Sequence, residues 1–353
     1  MPLEPIFAEF AADAAFASAE AFTAGHINDS YLVTTESSVG RRFLLQRINT
    51  EIFRDVAGLM DNVQRVTRHL AAKGGRGPKL ILARDGGTTV ADDAGGVWRM
   101  FSFVENTRTF LTIDSPRRAL AAARAYGEFQ RMLIDLPPPP LFETLPGFHD
   151  TPKRLEAFDA AVRRDAAGRC GEASAEIAFV ADQREMADTI MALERTGESP
   201  RRVAHYDAKV SNVLFDADSD EAVCVVDFDT VMPGSVLYDF GDMVRSMACP
   251  ADEDETDLSR VRIDLDLFEA VARGYLAAAG GFLTGVEKQN LITAGKVITF
   301  EQGVRFLADF LDGDIYYKTA RPTQNLDRAR NQFRLVESII KSESPMNDAM
   351  QRR

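Results

Sequence analysis

Cysteine is scarce in this chain of 353 residues: Cys170, Cys224 and Cys249 are odd in number, stand far apart, and have no paired short motif or histidine cluster beside them. That pattern argues against a disulfide framework and against a structural zinc site. Positive charge is also short, with 41 Lys and Arg against 54 Asp and Glu and a formal charge of -13, so nucleic acid and anionic membranes are poor partners. No apolar run reaches the length of a membrane span. The opening stretch MPLEPIFAEFAADAAF places Glu4, Glu9 and Asp13 where a secretory signal needs positive charge and unbroken apolar residues. A reduced, cytoplasmic setting is therefore expected. A Walker-type G-x-x-x-x-G-K-[ST] loop and internal repeats are missing too, and low complexity is confined to the proline run at 137–140. What remains is a composition 45% hydrophobic and a length suited to two packed lobes.

From Ala17 to about Phe103 the patterning favours short strands, FASAEAF, SYLVTT, RFLLQRI, KLILAR, TTVA and VWRMFSF, joined by glycine- and aspartate-rich turns. One helix interrupts them between Glu51 and Lys73. There Ile52, Val56, Leu59, Val63, Val66 and Leu70 recur at spacings of three and four and Gly74-Gly75 supplies the stop. Beyond a connector, ENTRTF, long helices take over. The first opens at Ser115-Pro116, a capping hydroxyl before proline, and runs towards Leu136; others are expected near 152–167, 173–196, 264–279, 286–311 and 324–342. A β-rich island from Arg202 to Asp229 lies among them, with NVLFD and AVCVVDF as a hairpin. The expected class is α+β and bilobal: residues 1–104 form a small β-rich nucleotide-binding lobe, and residues 105–353 a helical lobe with the catalytic loop and substrate pocket. That order of elements is the order of a protein-kinase-like fold.

The segment HYDAKVSNVLF fits H-x-D-x-x-x-x-N with His205, Asp207 and Asn212, and Asp227 follows at the end of the next apolar strand. Phosphoryl transfer needs these residue types: a carboxylate to orient the acceptor hydroxyl and take its proton, and a second carboxylate with a carbonyl oxygen to bind the magnesium of ATP. Asp239 spells the Asp-Phe-Gly triplet of protein kinases, yet it follows the turn at Pro233-Gly234 and opens an apparent helix. A carboxylate there is expected to cap free amides, which leaves Asp227 as the metal candidate.

These residues resemble the aminoglycoside phosphotransferase and choline kinase superfamily, and within it bacterial N-acetylhexosamine 1-kinases. Beyond the catalytic motif, GHINDSYLV near 25, LQRIN near 45, FDTVMPGSVLYDFGD from 228 and RFLADFLDGDIYY from 305 carry the likeness. The resemblance implies transfer of the γ-phosphate of ATP to the anomeric hydroxyl of N-acetylglucosamine or N-acetylgalactosamine. It implies Asp207 as base and Asn212 and Asp227 as ligands of Mg2+, with His205 supporting the loop. Kinases for choline, homoserine, an aminoglycoside or another sugar are the nearest alternatives, and a catalytically silent binding protein is the remote one. The superfamily usually places lysine on the third strand for the α- and β-phosphates; here Gln46 takes that position with Arg47 beside it, and alternation lets only one face inward. Adenine is expected against backbone groups around Phe103 and Glu105, with Trp98 and Met100 in the core. In TAGHINDSY, Asn28 and Asp29 suit hydroxyl recognition, and an ordinary polar hairpin fits equally well. Arg305, Asp309 and Asp312 share a helix face, either as a surface ion pair or as a ligand site; the resemblance points to Arg305 and to Tyr316 or Tyr317 in the sugar pocket.

Overall fold

A computed structural model describes residues 2–22, 27–36 and 40–351. The chain divides into two compact units: residues 1–107, 135–146 and 226–232 form one, and residues 108–134, 147–225 and 233–353 the other. The class is α+β, as expected, with the sheet in the first unit and most helices in the second.

The first unit contains α1 (Glu4–Ala8), β1 (Phe16–Ala21), β2 (Asp29–Thr35), β3 (Arg42–Arg47), α2 (Val56–Ala72), β4 (Leu80–Ile81), β5 (Val90–Ala91) and β6 (Val97–Ser102), and β7 (Thr107–Arg108) starts at its edge. The sheet is antiparallel in the order β1-β2-β3-β6-β4, with β5 also paired to β6. Alternation sends Phe43, Leu45, Trp98 and Met100 to one face, where they pack with Val33 and with Phe7 and Phe10 from the N-terminal segment. Gln46 and its register partner Arg99 point to the other face. The helix expected from Glu51 begins only at Val56. Asn49 Oδ1 takes the Glu51 and Ile52 amides and Asp55 caps Gly58, so the residues ahead of Asp55 are spent on a turn. KLILAR and TTVA shrink to two residues of strand each.

The second unit contains α3 (Pro116–Leu133), α4 (Thr151–Arg164), α5 (Ser174–Asp182), α6 (Thr189–Thr196), β8 (Arg202–Ala204), β9 (Val213–Asp216) and β10 (Ala222–Val225). After β11 (Met232–Gly234) come α7 (Val236–Met247), α8 (Leu265–Ala279), α9 (Gly285–Gln289), α10 (Leu291–Asp312), α11 (Gln324–Lys341) and α12 (Glu343–Gln351). Its core gathers Phe300, Val304, Leu307 and Phe310 of α10 with Phe333 and Val336 of α11 and Leu155 and Phe158 of α4. Each such side chain fully buried is worth about 1.5–3 kcal/mol. Where α3 crosses α8, a Cβ on Gly274 would stand 2.3 Å from the Leu120 carbonyl oxygen, so only glycine permits the approach. Several expectations need correction here. Ser115 precedes Pro116 without a capping hydrogen bond from its hydroxyl. The 173–196 helix is broken by a 3-10 turn at Arg184–Asp188, and the 286–311 helix is divided at Asn290. No helix among the described residues is long and apolar enough to cross a membrane.

Candidate active site

In the second unit the loop after β8 carries the H-x-D-x-x-x-x-N motif, and its backbone is held from several sides. His205 is buried, its ring set edge-on against Tyr126 and Phe129 of α3 at 5.3 and 5.6 Å. The Tyr126 hydroxyl donates to the Lys209 carbonyl at 2.8 Å. On another side, His149 bridges Glu301 at 2.7 Å and the Tyr206 carbonyl at 3.0 Å. A Cβ at Gly234 would fall 1.5 Å from the Tyr206 hydroxyl oxygen, so glycine makes the room for that ring.

Asp239 departs from its expected role. The helix α7 starts at Val236 and its cap is Ser235, whose hydroxyl accepts from the Leu237 amide at 3.2 Å. Asp239 lies a turn further in, wholly buried, and accepts from the amides of His205 at 2.8 Å and Tyr206 at 2.7 Å and from Gln130 Nε2 at 2.6 Å. It anchors the loop after β8 instead of its own helix, because the donors that reach it come from elsewhere in the chain. Burial raises its pKa, against the opposing pull of His205 and these donors.

So held, the loop brings Asp207 and Asn212 together. Asn212, in the 3-10 turn just before β9, donates from Nδ2 to both the Asp207 carbonyl and Oδ2 at 2.9 Å. Lys209 Nζ sits 2.8 Å from the same Oδ2, while no donor among the described residues reaches Oδ1. The carboxylate is 26% exposed, enough to meet a ligand. Burial would raise its pKa, but the Lys209 charge and hydrogen bond, His205 and Asn212 outweigh it and hold the group at about 2. Asp207 is therefore ionised at neutral pH with one oxygen ready for a hydroxyl proton. Asn212 Oδ1 likewise takes no hydrogen bond from the described residues, which leaves it as a hard-oxygen donor of the kind Mg2+ prefers. Among the described residues no group of three or more His, Cys, Asp or Glu is placed to hold a metal. A magnesium that keeps phosphate and water ligands needs only one or two protein oxygens.

The same unit assembles Arg305, Tyr316 and Tyr317. The Arg305 guanidinium lies 5.1 Å from the Phe148 ring and 5.9 Å from that of Tyr317, and it donates to Gln302, which in turn donates to the Tyr317 hydroxyl. Tyr316 packs edge-on against Tyr317 and is 55% exposed. Of the two readings of this face, the Arg305–Asp309 surface pair does not form: Asp309 is buried and accepts from the amides of Ile315, Tyr316 and Tyr317 and from Asn325, closing the turn that presents the tyrosines. Asp312 pairs with Arg164. A second guanidinium, Arg154, which the sequence did not single out, donates to the Phe148 carbonyl at 2.7 Å; burial and the like charge of Arg305 lower its pKa. Burial lowers that of Arg305 as well, but Tyr317, Glu301, Tyr316 and Asp207 more than compensate and raise it.

In the first unit Gln46 turns to Ser30 and Arg99, donating to the Ser30 hydroxyl at 2.9 Å and accepting from Arg99 Nε at 3.1 Å. Arg47 takes the opposite face, beside the Asp92–Gly96 turn, where a Cβ on Gly96 would meet its Nε at 2.6 Å. Asn28 has both ends of its amide engaged, by Asp229 at 2.7 Å and by the Asn49 amide at 3.0 Å; Asp29 is exposed at the start of β2. Residues 23–26 of the TAGHINDSY stretch lie outside the described residues. Phe103 sits under the Arg42 guanidinium at 4.4 Å, and Glu105 pairs with Arg42. Asp227 adopts φ +68° two residues beyond the end of β10. The buried Arg99–Asp229 pair was missed by the sequence reading; the one available signal was an arginine inside the apolar strand VWRMF.

The sequence model of a family described as "Phosphotransferase enzyme family" matches residues 18–288. Among solved structures, an aminoglycoside phosphotransferase from Alicyclobacillus acidocaldarius is similar with a TM-score of 0.63 at 13% identity, over 100% of this chain and 97% of that one. A spectinomycin phosphotransferase solved with ADP and spectinomycin gives 0.58 at 13% identity, over 94% of each chain. A Plasmodium vivax ethanolamine kinase gives 0.54 at 13% identity, over 89% of this chain and 82% of its own. At such identities the likeness is one of fold.

Proposed function

The chain belongs to the phosphotransferase enzyme family, and on that premise we propose that it transfers the γ-phosphate of ATP to the anomeric hydroxyl of an N-acetylhexosamine. Small-molecule phosphotransfer is the family's chemistry; the acceptor is the inference. In this reading Asp207 takes the acceptor's proton at Oδ1, with Lys209 and Asn212 fixing the other oxygen. Asn212 through Oδ1 and Asp227 would hold Mg2+, which spreads and neutralises phosphate charge when bound. Gln46 and the backbone around Phe103 and Glu105 are assigned to the nucleotide. Arg47, on the opposite face of its strand, is the weaker candidate of the pair. Arg305, Tyr317 and Tyr316 are assigned to the sugar; Asn28 and Asp29 are assigned to substrate hydroxyls, Asn28 as the weaker candidate because both ends of its amide are already engaged.

One observation supports this acceptor over a cationic one such as choline or an aminoglycoside. Among the described residues Arg305 makes no ion pair and donates to the neutral Gln302, and Arg154 brings a second guanidinium close enough for Arg305 to lower its pKa; Glu301 and Asp207 offset part of that positive charge. A cationic acceptor about 6 Å from one such charge meets a repulsion of about 3 kcal/mol at an effective dielectric of about 20. A neutral, oxygen-rich sugar instead finds donors and an aromatic face. The test is ADP release measured over a panel of acceptors, with phosphorus NMR to locate the new ester. Turnover with N-acetylglucosamine or N-acetylgalactosamine and a 1-phosphate product is expected; turnover with choline or ethanolamine and none with the sugars overturns the assignment.

A further inference from the structure

β3 carries Gln46 where a lysine was expected, and directly opposite it in register on β6 stands Arg99. The Arg99 side chain is 2% exposed. Its three nitrogens are all engaged: Nη1 and Nη2 donate to the two oxygens of Asp229 at 2.5 and 2.8 Å, and Nε donates to Gln46 at 3.1 Å. This is the two-pronged geometry that only arginine offers a carboxylate. Asp229 also receives Asn28 Nδ2 at 2.7 Å on its side chain and Thr144 Oγ1 at 2.8 Å on its carbonyl. Two residues on, the Val231 carbonyl accepts from Asn62 of α2 at 3.1 Å. The segment that begins at Asp227 is thus tied to the sheet and to α2 by side chains from four separate stretches of one unit. Asp227 itself sits at φ +68°, in the left-handed region that aspartate enters more readily than most residues with a side chain.

We propose that Arg99 is the positioning residue for Asp227: acting from β6 through Asp229, it fixes the backbone that aims the Asp227 carboxylate at the metal, on a strand pair whose usual lysine is Gln46. The inference rests on the reading of Asp227 as a magnesium ligand. Arg99 touches neither nucleotide nor metal in this account. A purely structural ion pair would predict something different. Its loss would lower the melting temperature and leave the contribution of magnesium to nucleotide binding unchanged.

The experiment is calorimetric titration of the full chain with ATP, once with Mg2+ and once with EDTA, on the parent and on Arg99→Met, Arg99→Lys and Asp227→Asn. Groups bonded directly to a metal ligand typically govern affinity by about 10- to 100-fold, and because Arg99 reaches Asp227 only through Asp229 the lower figure, about tenfold, applies. Arg99→Met is expected to lose the magnesium advantage by about that factor, as Asp227→Asn does, while affinity for metal-free ATP stays within about twofold of the parent. Arg99→Lys keeps the charge without the fork and is expected to fall between them. A folded Arg99→Met protein with the parent's full magnesium advantage overturns the proposal. Should that variant not fold, an Arg99→Lys protein indistinguishable from the parent does so. A parent that binds ATP equally with and without Mg2+ removes the metal reading and this inference together, whereas a parent with a clear advantage that both Arg99 variants retain removes this inference alone.

Discussion

Replacing Asp239 by alanine separates two roles for the residue that spells the Asp-Phe-Gly triplet. As a helix cap it would contribute about 1 kcal/mol. The structure gives it more to do: it is completely buried and satisfies the amides of His205 and Tyr206 and the amide group of Gln130, whose own oxygen accepts from Tyr275. Alanine leaves three buried donors without an acceptor, each costing about 1–3 kcal/mol, so a loss of about 3–6 kcal/mol is expected once some relaxation is allowed. That is a large part of the roughly 5–15 kcal/mol by which domains are stable. Urea unfolding of the full chain followed by circular dichroism measures it. Asp239→Asn, which keeps the volume and exchanges one acceptor for a donor, should lose about 2–4 kcal/mol. A loss of about 1 kcal/mol or less in the alanine variant would refute the anchoring role. The pH dependence gives a second reading. Because burial raises the Asp239 pKa, the folded protein binds that proton more tightly than the unfolded chain. Its contribution therefore declines as pH rises from about 3.9 through the raised folded value, and Asp239→Asn should remove that slope.

Other expectations concern the reaction. Asp207→Asn should lower kcat by about 100- to 10,000-fold in a protein that still folds, with a melting temperature lowered only by the loss of the Lys209 pairing, and a variant turning over near the parent rate would remove the base from the mechanism. Lys209→Met leaves burial less opposed at Asp207, so its pKa climbs from about 2. The acid limb of kcat/KM should move upward. The stability that the depressed carboxylate adds, present above about 3.9 and lost as pH falls towards the folded value, should shrink with it, and an unmoved limb in the pH profile contradicts the pairing. Arg305→Ala should raise KM for the acceptor by about 10- to 100-fold and leave KM for ATP alone, because it removes a charged donor from one substrate only; equal effects on both would place Arg305 elsewhere.

How much of this was legible depended on how local the physics was. The Asp207 and Asn212 pair could be read directly, since five residues of loop and one 3-10 turn bring them within a hydrogen bond and no distant contact decides it. The strands of the sheet were readable for the same reason: Phe43 and Leu45 stand two apart on β3 and so share its buried face, where Leu45 lies opposite Met100 of β6. Long-range competition hid the rest. Asp239 looks like a cap because its sequence neighbours allow nothing else, yet its partners lie 33 and 34 residues away. Asp309 looks like the partner of Arg305 by spacing, and the returning chain at Ile315 to Tyr317 claims it first. The break between α5 and α6 carries no proline or glycine, so the helical period runs through it unmarked.

Gln46 shows how such a gap is closed. Read alone, it is a lost cation at the position where lysine is expected to serve the phosphates, the kind of change a catalytically silent protein would carry. Read across the strand pair it has a neighbour, Arg99, that is cationic, buried and already committed to a carboxylate 130 residues further along. A charge kept out of water at that cost persists only with partners of good geometry, and removing one partner leaves the other stranded. The substitution at one strand position is therefore meaningful only together with its register partner. The two positions form a single electrostatic unit, whose positive charge sits on β6 and is directed at Asp229.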